Sequence, residues 1–189
     1  MELSAQVRRL LGGMTSRYDT VRAGIDVGFA DAAASLAFRE ALGGVWMTVV
    51  ADEFAQSAVV DALPQGTVHR LGVGSCLPFD DGQFEVAALN GDAISLQLVR
   101  EIHRVLRPAG CLFFSVAQGK GDEEGFSGKS LYNIFLKNGF DVLSLDRPWW
   151  RFGRGGRVIT VCARKKAWKE RKGLDRGGSL PFQFGNTGR

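Results

Sequence analysis

The chain has 189 residues, 45% of them hydrophobic and 23% charged, the mix of one globular domain with a core of ordinary size. Its formal charge is +4, and no apolar run approaches the ~20 residues of a membrane-spanning helix. Its three cysteines stand far apart without a CxxC pair, which argues against both a disulfide framework and a zinc site.

In chain order, residues 1–13 place Leu3, Val7, Leu10 and Leu11 at helical spacing and end in Gly-Gly. This start lacks the apolar core of a secretory signal, so a cytoplasmic protein is expected. Residues 21–27 (VRAGIDV) read as a first strand, and residues 31–42 (DAAASLAFREAL) as a helix closed by Gly43 and Gly44. The near-continuous apolar run 45–51 (VWMTVVA) is a strand buried on both faces of a parallel sheet. Residues 54–63 form a short helix ending at Pro64, residues 67–73 a third strand and residues 84–89 a fourth.

Residues 94–106 (ISLQLVREIHRVL) carry the best helical pattern. Ile94, Leu98, Ile102 and Val105 share one face, and Pro108 with Gly110 ends the helix. Residues 111–117 (CLFFSVA) are a fifth strand, and Cys111 and Cys162 are expected as core thiols. Residues 127–140 give a helix stopped at Gly139, and strands 140–147 and 157–164 follow without an intervening helix. The fold class is therefore α/β, a Rossmann-like doubly wound sheet with helices on both faces. It has five parallel strands plus a C-terminal β-hairpin.

Charge divides the chain into residues 1–163 and a basic extension, residues 164–189. The first part holds 16 basic and 18 acidic residues. The extension, from Arg164 at its start to Arg189 at its end, holds eight basic and two acidic. Such a tail attracts nucleic acid, anionic lipid or an acidic protein surface, and on composition alone it reads first as a solvated end. Just before it, PWWRFGRGGR packs aromatic residues and arginines into ten positions, a pattern that stacks on bases or anchors protein interfaces. The plainer reading is a hairpin loop whose tryptophans pack back on the sheet. His69 and His103 have no thiol or carboxylate cluster beside them, so no metal site is expected. His103 is expected on the polar side of its helix.

Three stretches carry a family resemblance: IDVGFADAAA, CLPFDDGQFEVAAL and EIHRVLRPAGCLFFSV. With them, residues 18–163 resemble a class I S-adenosylmethionine-dependent methyltransferase of the small type 11 kind. The resemblance implies a ligand at the carboxyl ends of the strands, where a doubly wound sheet opens its crevice. It implies that Asp26, Gly28 and Phe29 meet the amino-acid end of S-adenosylmethionine. Asp52, with Glu53 beside it, would accept the ribose hydroxyls, a role that needs a carboxylate. Gly74 and Ser75 would flank the adenine, and Asn90 to Asp92 would face the methyl group and substrate. As a plainer alternative, Asn90 is a turn residue.

The sequence departs from that family in two places. Its glycine-rich loop keeps Gly28 but has Ala30 and Ala32 where the family has glycines, with Asp31 adding negative charge. A left-handed alanine costs only about 1–2 kcal/mol, so the Cβ atoms near the ligand are the larger obstacle. Val73 stands where the family places an acid that accepts from the adenine amino group. That loss is worth roughly 0.5–1.5 kcal/mol. The two together weaken or abolish cofactor binding. No catalytic base is identified, and methyl transfer needs little acid–base help. Two readings follow: a divergent methyltransferase whose acceptor is unknown, or a cofactor-free methyltransferase-like module that binds a protein partner through its Trp/Arg hairpin and basic tail.

Overall fold

The computed structural model describes residues 3–29, 32–50, 59–91, 94–118, 128–146 and 157–167. The chain begins with α1 (Ala5–Thr15), whose N-cap Ser4 accepts a hydrogen bond from the Val7 amide at 3.2 Å. β1 (Ala23–Val27), α2 (Ala32–Leu42) and β2 (Val45–Val50) follow, then β3 (Val68–Arg70) and a 3₁₀ turn over Val73–Ser75. β4 (Phe84–Asn90), α3 (Leu96–Val105) and β5 (Leu106–Gln118) complete the parallel part. α4 (Gly128–Lys137), β6 (Phe140–Asp146) and β7 (Arg157–Lys165) close the described chain.

The sheet has seven strands in the order β3-β2-β1-β4-β5-β7-β6. β3, β2, β1, β4 and β5 pair in parallel, and β7 pairs antiparallel with both β5 and β6. β7 is thus inserted between its two neighbours, and β6 forms the edge. The tryptophan–arginine stretch that joins them falls outside the described residues, as does the first half of the helix expected over 54–63. β7 runs to Lys165, so the strand continues past the expected boundary at residue 163.

Helices cover both faces. Val7, Leu10 and Met14 of α1 and Phe38 and Leu42 of α2 pack with Val86, Ala88 and Phe113 on one side. Leu98, Val99, Ile102 and Val105 of α3 and Leu131 and Phe135 of α4 pack with Ala87, Leu112 and Phe114 on the other. Alternate residues of β4 therefore serve opposite cores, and every residue from Phe84 to Leu89 is buried. Gly24 is required by close approach: a Cβ there would stand 2.6 Å from the Trp46 indole.

α3 ends at Val105, earlier than Pro108 and Gly110 would suggest. The chain goes straight into β5, where Phe84 pairs with Leu106 and Val86 with Cys111, so residues 107–110 are looped out. Ala109 takes φ +64° in that irregularity. Pro108 breaks a strand register here and does not terminate a helix.

Candidate functional site at the switch point of the sheet

The direction of winding reverses between β1 and β4, so their carboxyl ends flank the crevice of the sheet. Val27 pairs with Leu89, which brings Gly28 alongside Asn90. The Asn90 side-chain amide Nδ2 donates to the Gly28 carbonyl at 3.0 Å, and the Gly28 amide donates to the Val49 carbonyl at 2.8 Å. Gly28 takes φ +79°, a turn that a side chain would strain. Three strand ends thus meet at one glycine.

Asp26 prepares that turn from below. Its carboxylate is fully buried, and it accepts from Ser35 Oγ of α2 at 2.6 Å and from Thr48 Oγ1 of β2 at 3.0 Å. Arg39 Nη2 reaches Thr48 Oγ1 at 3.4 Å. Burial raises the Asp26 pKa from 3.8 to about 6, against the two hydroxyl bonds and the Arg39 charge, which lower it. The side chain is committed to holding β1, α2 and β2 together.

The Phe29 ring lies in the core. It is 6% exposed and meets Phe38 edge-on at 5.6 Å, and Phe38 stacks on Trp46. What Phe29 offers a ligand is backbone. Ala32 is buried with Val50, Val59 and Leu63, so its methyl fills the packing between α2 and β2. The Ala32 Cβ serves the core. Ala30, Asp31, Asp52, Glu53 and Asp92 lie outside the described residues.

Gly74 and Ser75 form the turn after β3, with φ of +68° and +62°. A Cβ on Gly74 would meet nothing within 4 Å, so its surface is open. Ser95 Oγ, the N-cap of α3, donates to Ser75 Oγ at 3.2 Å and joins this turn to α3. Val73 is 99% exposed and presents an apolar side chain to solvent.

One residue of interest carries no sequence signal beyond a serine in an apolar run. Ser115 pairs with Asn90 across β4 and β5, is fully buried, and has no hydrogen-bond partner for its Oγ among the described residues. An unmet buried hydroxyl costs about 1–3 kcal/mol, so a polar group delivered beside Asn90 would relieve it.

The other two family-like stretches hold each other. The Leu77 amide donates to Glu101 at 3.0 Å. Arg104 donates to the Phe79 carbonyl at 2.7 Å and to the Leu77 carbonyl at 3.0 Å, and pairs with Glu101 at 2.8 Å and Asp81 at 2.9 Å. LPFDD is thus stapled to EIHRVL. The histidines are packing groups: His69 meets Phe79 edge-on and His103 meets Phe140. His103 is accordingly half-buried, a correction to its expected place on a polar face. Among the described residues no cluster of three metal-binding side chains exists, and no helix is long and apolar enough to cross a membrane.

No protein-family model matches the chain, and no curated protein sequence matches it. Many solved structures do. The complex between the Haloferax volcanii Trm112 methyltransferase activator and a candidate methyltransferase matches at TM-score 0.70 and 15% identity, over 85% of this chain and 89% of that one. The Burkholderia thailandensis 1,6-didemethyltoxoflavin-N1-methyltransferase, solved with S-adenosylhomocysteine, matches at 0.62 and 18%, over 86% and 79%. The fold is that of the class I methyltransferases. The fold alone does not fix the chemistry, because the [4+2]-cyclase SpnF matches at 0.65 and 16%, over 84% of this chain and 80% of its own.

Proposed function

We propose that this chain is a divergent S-adenosylmethionine-dependent methyltransferase that holds its cofactor across the carboxyl ends of β1 and β4. The observation that carries the reading is the joint at the switch point, where Asn90 and Val49 fix a left-handed Gly28 over a buried Asp26. The residues fit the group in part. Gly28 and the Phe29 backbone would take the amino-acid end, Asp52 and Glu53 the ribose, and the open turn at Gly74 and Ser75 the adenine. Asn90, with Ser115 beside it, would face the reacting methyl group. When bound, S-adenosylmethionine supplies an already activated sulfonium methyl. The chain's task is then to align an acceptor and exclude water. The acceptor itself is unknown.

A second reading, a partner-binding module without cofactor, is favoured by Val73. The resemblance calls for a carboxylate there, and the side chain is exposed and apolar. That a protein of this fold is complexed with an activator in the Haloferax volcanii structure supports a protein partner for this chain too. Amide chemical-shift mapping with S-adenosylhomocysteine separates the two. Saturable shifts at Gly28, Gly74, Ser75 and Asn90, lost in Asp52→Ala, are the outcome expected of the methyltransferase. Shifts nowhere near the switch point leave the module.

A further inference from the structure

The α1 side of the sheet carries a second polar site, away from the switch point. β6 is the edge strand, and between it and α1 runs a groove of about 130 Å³. At about 30 Å³ per water, that is room for roughly four waters. α1 contributes Arg9, the turn after it Ser16 and Arg17, β6 contributes Ser144, and β7 contributes Thr160 and Cys162. Two guanidinium groups and three hydroxyls therefore line one small space. Among the described residues no carboxylate lines it.

Both arginines are directed at the groove. Arg9 Nη1 donates to the Val158 carbonyl of β7 at 2.9 Å, which ties its side chain across the gap from α1 to the sheet. Arg17 lines the same space, beside Cys162 and Phe113. Arg9 lies within α1 and Arg17 just past its C-cap, Ser16, so the helix and the turn after it each bring one cation to the groove.

We infer that this groove binds a phosphoryl group. The guanidinium is a planar fork of donors matched to phosphate oxygens, and the Ser144 and Thr160 hydroxyls of β6 and β7 supply further donors. A tetrahedral oxyanion with little beyond it fits the volume. It can arrive as free phosphate or as a small phosphomonoester.

Calorimetric titration of the full chain at fixed ionic strength, with inorganic phosphate and with phenyl phosphate, tests this. Saturable one-site binding is expected, weakened about tenfold or more in Arg17→Gln and in Arg9→Gln. Ser144→Asp, at an exposed position outside α1, should abolish it by placing a like charge in the groove without disturbing the core. Tighter binding of phenyl phosphate identifies a phosphomonoester as the natural source, and equal binding identifies free phosphate. Non-saturating heats for both probes, or affinities unchanged in all three variants, would overturn the inference.

Discussion

Asp26 illustrates how a residue type leaves its role open until its surroundings are known. A carboxylate at the end of a first strand can face a ligand or brace the turn that does. Here it braces the turn, with Ser35 and Thr48 as donors. Its folded pKa is raised to about 6 from 3.8, so the folded chain keeps this proton where the unfolded chain has lost it. Stability from this group is therefore greatest below about pH 4 and declines as pH rises to about 6, by on the order of 3 kcal/mol. Asp26→Asn should remove that decline. Urea unfolding of both proteins from pH 4 to 7 measures it, and equal slopes would show that Asp26 is not the group responsible. Val73 gives the complementary prediction. At 99% exposure it can be changed without cost to the core, so Val73→Asp should leave stability within about 0.5 kcal/mol. It should tighten binding of S-adenosylhomocysteine by up to about tenfold. An unchanged affinity would place the adenine elsewhere.

Among the elements, the staple between α3 and the loop before β4 explains why those two stretches look so family-like. Glu101 and Arg104 satisfy backbone groups of Leu77 and Phe79 that a loop would otherwise bury unpaired. Hydrogen bonding to Arg104 holds the Glu101 carboxyl below its ordinary range. The stability it contributes is present at neutral pH and is lost as pH falls through that lowered value. Arg104→Gln should cost about 2 kcal/mol, a figure reduced for the partial exposure of the pair. It should also speed amide exchange at Leu77. Normal exchange at Leu77 in a destabilised variant would put the lost stability elsewhere. The alternation of strands and helices, the antiparallel last pair and the buried apolar runs were all legible from spacing. The looped-out residues 107–110 were not, because Pro and Gly mark a break in backbone without saying which element they interrupt. Ser115 was equally hidden, since only the register beside Asn90 and the lack of a partner distinguish it from any strand serine.

At the scale of the molecule, resemblance and function separate. The stretches that make the chain look like a methyltransferase include two that hold the scaffold, and the scaffold is intact. The switch-point end keeps its glycine turn but has Val73 where the resemblance calls for an acid, and alanines in place of two loop glycines. Phe29 and Ala32 show why the loop could change without loss of fold: both side chains are drawn into the core. The places of Gly28, Gly74, Ser75 and Asn90 in the fold were legible, because they follow from strand ends. The sequence could not say which side chains turn inward, because that depends on α2 packing against β2. The measurement that tests the account most directly is calorimetric titration of the full chain with S-adenosylmethionine. One site of micromolar affinity, worth about −8 kcal/mol at the tight end and competed by S-adenosylhomocysteine, is the predicted result. No binding at millimolar ligand would contradict it and leave a methyltransferase fold retained for a partner.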